Sequence, residues 1–386
     1  MKEVLVVDAT RSPIGTGISK YPLLKSALIT LSPQDLALQV LDASFKKTKI
    51  PPAAVDILRV GSNVSLKSEY FKQAPDREIA LRAGMYNASC NISQKACSSG
   101  LLAIAEAAQA IRYEKANIAI GMGLDMMCNV PDSVNIGALT CPITKKSMAE
   151  LADQKTRELG FTKEDCDVYA DESYARAKKH LYEYESGEYL TPIVLEPETG
   201  TGYSRIFNFD QNVLTDEKIF KNAKDKILKG CELTTVYNSS KYGDACATLT
   251  LMSPGKAKKY KFEPLARLLA YAENSLKDPK DFPIAPVGAV LKALKIAKRS
   301  LNNIDSFWVN EAFPVSPLFF MKELGIPWDI VNPCGGAIAF GHALGATGAV
   351  LCVNAICQAI KEGKKYIVVS LCNAIGEATA AVFEII

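Results

Sequence analysis

The chain contains only two histidines, and one of them, His342, lies in a glycine-rich stretch that leads into an apolar, helix-like pattern. This stretch extends from Cys334 to Gly348 and reads CGGAIAFGHALGATG. Imidazole exchanges a proton near neutral pH, and glycines let backbone and ligand approach it closely. The pattern therefore predicts a general base, while a core histidine bonded to a local carbonyl remains the alternative.

A candidate nucleophile, Cys97, stands just before an alanine-rich helical pattern that extends to Ile111. Ser98 and Ser99 are the candidate caps of that helix. A thiol at the positive end of a helix has a lowered pKa and forms the nucleophilic thiolate more readily. We therefore expect a reactive thiol at Cys97; for a single cysteine among 11, an unreactive core position is the alternative.

Two further stretches carry groups suited to chemistry. Asn310 begins the run N-E-A-F-P, and Cys372 begins C-N-A-I-G after a buried-strand pattern. Taken alone, Asn310 is also explained as a turn or cap residue, and Cys372 as a buried thiol at a strand end.

Together, and in their order along the chain, the four stretches at Cys97, Asn310, His342 and Cys372 resemble the thiolase family, the acyl-CoA acetyltransferases. Arg11 begins R-S-P-I-G, which resembles the opening motif of the family. Asn238 begins N-S-S-K-Y-G-D-A, which resembles its N-A-S-x-x-N-D-G segment with positions changed. The resemblance spans nearly the whole chain and implies an acyltransferase whose substrates are coenzyme A thioesters, with no covalently bound cofactor.

The resemblance also implies a role for each reactive group. Cys97 would attack the thioester carbonyl while His342 accepts its proton, and Cys372 would remove the α-proton of acetyl-CoA. Negative charge that develops on the two thioester oxygens needs preorganised donors. His342 and a water held by Asn310 would serve one oxygen.

The backbone N–H groups of Cys97 and Ala374 would serve the other oxygen. Ala374 belongs to the loop that follows Cys372, and Gly376 completes that loop. The family motif here is C-x-G-G-G, whereas this chain has Ala374 and Ile375 at two of the glycine positions. The direction in which the Ala374 N–H points depends on a backbone conformation that glycine adopts more easily.

A repeated pattern predicts two pseudo-symmetric α/β halves. The matching segments are residues 55–61 and 304–310, the helix-like stretches 32–45 and 287–297, and the short apolar strands 117–120 and 366–369. Ser32 is the predicted N-cap of the first helix. Because Cys97 and His342 occupy equivalent turns, a site between the halves would bring them together.

The resemblance implies the thiolase fold, with two α/β halves in an α-β-α-β-α layered arrangement and an inserted loop domain. The first half is assigned to residues 1–121 with 243–256, the insertion to 122–242 and the second half to 257–386. The insertion is expected to pack over the first half and to contain a helix from 162 to about 184. One side of that helix carries Cys166, Tyr169, Ser173, Ala177 and Leu181.

In thiolases the corresponding loop domain covers the active site and holds coenzyme A. The residues assigned to coenzyme A binding are Ser147, Met148, Lys224, Lys226, Ser240 and Phe313. Because the arginine expected after the loop is absent, Lys224, Lys226 and Lys229 are the candidates for binding the phosphates.

Composition agrees with an enzyme that has two sizeable cores. The chain has 386 residues, 48% of them hydrophobic, and a net charge of +3, which is too small to indicate nucleic-acid binding. The cysteines form no disulfide or metal-binding pattern, so we expect a reducing compartment. A strand-like run begins almost at Met1, no apolar run is long enough for a membrane span, and the C-terminus is not a peroxisomal signal. A cytoplasmic location is therefore expected.

These observations predict an acetyl-CoA C-acetyltransferase that makes or cleaves acetoacetyl-CoA through acyl-Cys97. The alternatives are a 3-ketoacyl-CoA thiolase of broader chain length and a catalytically weak thiolase-like protein that binds acyl-CoA. Ketoacyl synthases of the elongating type use two histidines, and His180 here has no motif around it. Ketoacyl synthase III enzymes lack a second catalytic thiol, so Cys372 favours a thiolase. The resemblance also implies a homodimer, because thiolase halves pair across a two-fold axis and the 125–148 segment is shorter than the one that forms the contacts of tetrameric bacterial thiolases.

Overall fold

The computed structural model describes residues 2–20, 24–66, 73–113, 115–181, 189–197, 203–214 and 222–386. Its strands are β1 (Leu5–Arg11), β2 (Ile57–Gly61), β3 (Ser89–Ser93), β4 (Ile118–Met126), β5 (Ile193–Leu195), β6 (Arg205–Phe207), β7 (Asp244–Met252), β8 (Ala266–Ser275), β9 (Ser306–Val309), β10 (Tyr366–Asn373) and β11 (Glu377–Ile385).

The α-helices of the described residues are α1 (Pro33–Thr48), α2 (Pro75–Arg82), α3 (Ser99–Arg112), α4 (Asp132–Ala138), α5 (Met148–Glu158), α6 (Lys163–Leu181), α7 (Gln211–Leu214), α8 (Pro254–Tyr260), α9 (Ala285–Ala297), α10 (Val315–Leu324), α11 (Ala337–Phe340) and α12 (Thr347–Lys361). The Ser32 hydroxyl accepts a hydrogen bond from the Asp35 N–H, which confirms the predicted cap of α1.

Nine of the strands form one sheet in the order β3-β2-β4-β7-β1-β8-β11-β10-β9. The two halves repeat each other, since β1, β7, β4 and β2 correspond in order and direction to β8, β11, β10 and β9. The halves join where Leu5 and Val6 pair with Arg267 and Ala266. The predicted pseudo-symmetry is confirmed, and β3 has no counterpart in the second half.

Three apolar cores separate the layers. The middle core lies between the halves and is built around α3 and α12, with Leu101, Ile104, Val353 and Phe383 among its buried members. A second core lies under α1 and a third under α9 and α10. This arrangement gives the five predicted layers, and it places the first turns of α3 and α12 side by side.

Glycine allows the two central helices to approach closely. A Cβ atom on Gly100 would lie 2.7 Å from the carbonyl oxygen of Gly345, and one on Gly348 would lie 2.6 Å from the backbone nitrogen of Leu101. Neither contact is tolerable for a larger residue. The glycines therefore bring together the turns before each helix, which carry Cys97 and His342.

One segment among the described residues, Leu344–Lys361, is apolar and long enough to cross a membrane by length and composition alone. It includes α12, and 89% of it is buried inside the protein. Its hydrophobicity is explained by its place in the middle layer.

The inserted segment contacts both halves. The chain leaves the nine-stranded sheet after Met126 and returns at Asp244, so the intervening segment, 127–243, begins five residues later and ends one residue later than the predicted 122–242. The β5–β6 hairpin packs on the first half, as expected. Helix α6 instead packs on the second half, where Arg176 donates to the carbonyl of Val331 at 2.6 Å and Ser173 accepts from the N–H of Gly336 at 3.2 Å. The prediction that the insertion lies over the first half is therefore wrong for α6.

The predicted face of α6 is confirmed. Its members Cys166, Tyr169, Ser173, Ala177 and Leu181 are all buried. Residues 182–184 of the predicted helix lie outside the described residues.

Candidate active site

Cys97 and His342 meet at the junction of the halves. The Sγ atom of Cys97 lies 3.1 Å from Nε2 of His342, although the two residues are separated by 245 positions in the sequence. Cys97 stands just before α3, and His342 stands shortly before α12. A thiol within hydrogen-bonding distance of an imidazole nitrogen is the arrangement that nucleophilic catalysis by cysteine requires.

Hydrogen bonds hold both the ring and the backbone of His342 in place. Its Nδ1 atom lies 2.7 Å from the hydroxyl of Thr347, and its backbone N–H donates to the carbonyl of Lys241 at 2.7 Å. The side chain is buried, and burial lowers the pKa of His342 to about 4. The imidazole is therefore neutral at physiological pH and has a free lone pair with which to accept a proton.

The turn that carries Cys97 is sharp. Ala96 adopts a left-handed conformation with φ +46°, and the Ser99 hydroxyl accepts from the Lys95 N–H at 2.8 Å and donates to the Ala96 carbonyl at 2.7 Å. Cys97 is partly exposed on this closed turn, whereas Ser98 and Ser99, which follow it, are buried.

Burial raises the pKa of the Cys97 thiol, and the negative charges of ionised Cys372 and Asp125 raise it further. The expectation of a lowered pKa at the start of a helix is therefore wrong. Burial and the neighbouring acidic groups outweigh the backbone hydrogen bond that lowers this pKa. Thiol and imidazole are both neutral at rest, so the thiolate forms as the proton moves to His342.

Ser98 is the N-cap residue of α3, as predicted, and Ser99 is the first residue of the helix. Neither Ser98 nor Ser99 caps the helix through its side chain. Ser99 closes its own turn, as described above. The Ser98 hydroxyl donates to Oδ1 of Asn373 and accepts from the Thr379 hydroxyl at 2.7 Å.

Asp125, at the end of β4, organises the back of the site. Its buried carboxylate accepts hydrogen bonds from the backbone N–H groups of Asn63, Ser65 and Gly345 at 2.7 to 2.9 Å. A Cβ on Gly345 would lie 2.7 Å from the Asp125 carboxylate, so only glycine permits this contact. Asp125 thus joins a loop of the first half to the turn that follows His342.

Asn310 faces His342 from the end of β9. Its Nδ2 atom lies 3.5 Å from Nε2 of His342, and its buried Oδ1 atom has no hydrogen-bond partner among the described residues. A buried amide oxygen without a partner is costly unless water or a ligand satisfies it. This is the environment expected for the water that the sequence assigned to Asn310.

Glu311, the next residue, ties α6 to the second half. Its buried carboxylate accepts from the Tyr169 hydroxyl at 2.9 Å, the Ser173 hydroxyl at 2.7 Å and Nδ2 of Asn332 at 3.0 Å. Burial raises the pKa of Glu311, and these donors oppose the rise. The N-E-A-F motif therefore positions the insertion as well as Asn310.

Cys372 lies at the end of β10 in a small apolar cluster with Met148, Phe282 and Ala312. Burial raises the pKa of its thiol to about 12, and the hydroxyl of Ser316 opposes that rise. Ionisation of Cys372 in turn disfavours ionisation of Cys97, so the two thiols are close enough to interact electrostatically. The site therefore holds the partly exposed thiol of Cys97, the buried thiol of Cys372 and one neutral imidazole.

The loop after Cys372 is a tight connection between β10 and β11, made of Ala374, Ile375 and Gly376. Ile375 has φ +61° and Gly376 has φ +86°. A left-handed conformation is strained for a β-branched side chain. The Gly376 carbonyl accepts from the Leu276 N–H at 2.7 Å, which anchors the loop.

The residues assigned to coenzyme A binding are distributed around the insertion. Met148 and Phe313 belong to the cluster that contains Cys372. The Ser147 hydroxyl caps α5 in a capping box with Glu150, and the Ser240 N–H donates to the Ala312 carbonyl at 3.1 Å.

The two lysines in that assignment differ in their surroundings. Lys224 pairs with Asp171 at 3.0 Å and lies over the Tyr237 ring, whereas Lys226 is exposed. No group of three or more histidine, cysteine, aspartate or glutamate side chains suited to a metal ion occurs in the described part of the chain.

Thr347, Asp125 and Glu311 had no role in the sequence prediction, and Ser98 had only that of a helix cap. The sequence does contain a signal for Asp125 and Glu311, because a carboxylate inside a buried, apolar run must find hydrogen-bond donors. Thr347 follows His342 by five positions within the glycine-rich stretch. Its contact with Nδ1 depends on how that stretch folds, which the residue pattern does not specify.

Comparisons with known proteins agree with this arrangement. Residues 4–254 match the family model "Thiolase, N-terminal domain", and residues 262–385 match "Thiolase, C-terminal domain". Acetyl-CoA acetyltransferase IA of Candida tropicalis is 31% identical over 401 residues, which cover 99% of this chain and 97% of the relative. The human mitochondrial acetyl-CoA acetyltransferase is 31% identical over 403 residues, covering 100% and 91%.

Solved structures show the same likeness. The Bacillus anthracis acetyl-CoA acetyltransferase superposes with a TM-score of 0.91 at 28% identity, covering 100% of this chain and 99% of that one. Human mitochondrial 3-ketoacyl-CoA thiolase in complex with CoA gives a TM-score of 0.88 at 26% identity, covering 100% and 98%.

Proposed function

Because the chain belongs to the thiolase family and is an acyltransferase, we propose that it is an acetyl-CoA C-acetyltransferase that makes or cleaves acetoacetyl-CoA. The observation that carries this proposal is the 3.1 Å approach of Cys97 Sγ to Nε2 of a neutral, buried His342, with the second thiol of Cys372 close by. Relatives with full-length similarity are named acetyl-CoA acetyltransferases, which favours the short substrate.

In thiolysis, the Cys97 sulfur attacks the 3-keto carbonyl carbon of acetoacetyl-CoA while His342 takes the thiol proton. The bond between the α-carbon and the keto carbon then breaks, which leaves an acetyl group on Cys97. The departing carbanion receives a proton from the Cys372 thiol and leaves as acetyl-CoA. The thiol of free coenzyme A then gives its proton to the Cys372 thiolate and attacks acetyl-Cys97. The bond from the acetyl group to the Cys97 sulfur breaks, a second acetyl-CoA leaves, and the Cys97 sulfur takes back the proton held by His342.

Each oxygen that gains negative charge needs donors already in place. Nε2 of His342, once protonated, and a water on the unpartnered Oδ1 of Asn310 would stabilise the enolate oxygen of acetyl-CoA. The backbone N–H groups of Cys97 and Ala374 would stabilise the oxygen of the acyl group on Cys97.

A thiolysis assay tests the proposal. Purified protein should consume acetoacetyl-CoA only when free coenzyme A is present, with a ratio of two acetyl-CoA formed to each acetoacetyl-CoA lost. Cys97→Ala should abolish the reaction. An active wild type whose Cys97→Ala variant retains its rate would contradict the assignment of the nucleophile.

The same assay with longer 3-ketoacyl-CoA substrates tests the alternative of broader chain length. Similarity to a human mitochondrial 3-ketoacyl-CoA thiolase, with a TM-score of 0.90 at 25% identity, is the observation in favour of this alternative. A rate that rises with chain length would support it. A rate that falls steeply beyond acetoacetyl-CoA supports the acetyltransferase.

The proposed enzyme acts in the cytoplasm as a homodimer. The 11 free cysteines support the cytoplasmic location, because they suit a reducing compartment. The 125–148 segment supports the homodimer, because it is shorter than the segment expected of a tetrameric thiolase. Light scattering at micromolar concentration should give about twice the mass of the 41.8 kDa chain. A stable monomer or tetramer would contradict the proposed assembly.

A further inference from the structure

We propose that Ser98, Asn373 and Thr379 form a positioning chain that fixes the separation of the backbone N–H groups of Cys97 and Ala374. This inference rests on the proposed function, in which those two N–H groups stabilise the acyl oxygen. The three side chains would act through the backbone and would not touch the substrate.

The chain of hydrogen bonds is buried and continuous. The Thr379 hydroxyl donates to the Ser98 hydroxyl at 2.7 Å, and the Ser98 hydroxyl donates to Oδ1 of Asn373. All three side chains are 2% exposed or less. Ser98 uses one donor and one acceptor, so the direction of both bonds is consistent.

The chain connects the two segments that hold the oxyanion donors. Ser98 directly follows Cys97, and Asn373 directly precedes Ala374. Consecutive Cα atoms are held about 3.8 Å apart by the peptide bond, so fixing Ser98 against Asn373 restrains the neighbouring N–H groups. The two segments belong to different halves of the protein and have no common secondary structure near this point.

The composition of the Cys372 loop explains why such a restraint is needed. Ile375 is held at φ +61°, a conformation that its β-branched side chain resists. A loop under strain relaxes unless its surroundings hold it. The bond from Ser98 to Asn373 fixes the start of this loop, and the Gly376 carbonyl bonded to Leu276 fixes its end.

The Ser98 side chain does not make the helix-capping hydrogen bond that its position favours. It occupies the N-cap position of α3, where a serine side chain normally accepts from a backbone N–H, but it makes no such bond. A second connection lies on the outside of the same two segments, where Lys95 pairs with Glu377 at 3.2 Å. Both connections hold the Cys97 turn against the β10–β11 hairpin.

Two rate measurements on Cys97 separate positioning from general stability. Acetyl transfer from acetyl-CoA to Cys97 needs the oxyanion donors, whereas alkylation by iodoacetamide needs only the thiol and His342. We expect Ser98→Ala and Asn373→Ala each to slow acetyl transfer by roughly 10- to 100-fold, since a small misplacement of donors is costly. Alkylation should change by less than about 2-fold, because it forms no oxyanion.

Further variants sharpen the test. The double variant Ser98→Ala/Asn373→Ala should be no slower than the worse single variant, because both remove one link. Thr379→Val should slow acetyl transfer, and Thr379→Ser should restore it. Ser370→Ala is the matched control: its buried hydroxyl donates to the Thr379 carbonyl at 2.8 Å in the same hairpin, outside the positioning chain. We expect it to leave acetyl transfer unchanged.

The outcomes distinguish this inference from the proposed function. If the wild type acetylates Cys97 and Ser98→Ala acetylates it as fast, the inference is overturned and the proposed function stands. If acetylation and alkylation fall together in Ser98→Ala and in Thr379→Val, the chain is only structural and the inference is also overturned. A wild type that alkylates at Cys97 but is not acetylated overturns the proposed function.

Discussion

His342 Nδ1 lies 2.7 Å from the hydroxyl oxygen of Thr347, on the side of the ring opposite Cys97. The other nitrogen, Nε2, faces two groups that carry protons, the Cys97 thiol at 3.1 Å and Nδ2 of Asn310 at 3.5 Å. Nε2 is therefore the acceptor, and Nδ1 carries the ring proton and donates it to Thr347. The Thr347 hydroxyl accepts that proton and so supports the tautomer that can act as a base towards Cys97.

Replacement of Thr347 by Val should slow acetylation of Cys97 by roughly 10- to 100-fold, because the ring can then turn or change tautomer. Val preserves the size of the side chain, so the fold should be retained. Thr347→Ser keeps the hydroxyl and should keep most of the rate. Equal rates for Thr347→Val and the wild type would show that packing alone orients the imidazole.

The acetylation rate should be nearly independent of pH between 5 and 8. Burial lowers the pKa of His342 from 6.5 to about 4, so the acceptor nitrogen stays neutral across this range and is lost only as the pH falls towards 4. Single-turnover acetylation of Cys97 at a series of pH values gives the profile. A midpoint near 6.5 would show that the imidazole is solvated and not buried.

Cys97 should be the cysteine that iodoacetamide alkylates first at neutral pH. Burial raises the pKa of all three partly exposed thiols, Cys90, Cys97 and Cys231, but of these three only Cys97 lies beside His342, at 3.1 Å from Nε2. Mass-spectrometric mapping of the labelled peptides identifies the site, and acetyl-CoA should protect Cys97. His342→Ala should slow both labelling and acetylation, the latter by on the order of 100-fold or more. Earlier labelling of another cysteine, with Cys97 unmodified, would contradict the assignment.

The larger features of this fold are readable in the sequence because they depend on repeated, local patterns. The two matching strand and helix segments predicted the pseudo-symmetry, and the equivalence of their turns predicted that Cys97 would meet His342. The buried face of α6 followed from helical periodicity in the same way.

The errors concern properties that arise only when distant segments pack. A cysteine before a helix suggested a lowered pKa, but burial and the nearby Asp125 reverse the shift. Ser98 satisfied every local requirement for a cap, yet its partners lie in β10 and β11, 275 or more positions away. The docking of α6 on the second half depends on Glu311, whose donors are likewise remote in the sequence.

Glu311→Ala should lower the free energy of unfolding by roughly 3 kcal/mol, because it leaves the buried hydroxyls of Tyr169 and Ser173 without an acceptor. Urea denaturation measures this loss. Glu311→Gln keeps an acceptor oxygen and should lose less. Hydrogen exchange should accelerate within α6 (Lys163–Leu181) in Glu311→Ala before it does so in the central helices. An unchanged unfolding free energy would show that the carboxylate is not needed to dock the insertion.

Cys372→Ser should separate the two half-reactions. Acetylation needs only Cys97, His342 and the oxyanion donors, so transfer of an acetyl group onto Cys97 should be largely preserved. Burial already raises the pKa of Cys372 to about 12, and a hydroxyl in the same position ionises far less readily, so it cannot remove the α-proton of acetyl-CoA. Exchange of the acetyl-CoA methyl protons in deuterated solvent, followed by mass spectrometry, should therefore stop, and condensation with it.

Two results would lead to different conclusions about the Cys372 loop. If Cys372→Ser condenses acetyl-CoA at the wild-type rate, this thiol is structural and another group removes the proton. If the wild type itself acetylates Cys97 but shows neither exchange nor condensation, Ala374 and Ile375 have removed the second half-reaction. The protein would then be an acyl-CoA-binding member of the family, since its nucleophile would still work while its carbanion chemistry would not.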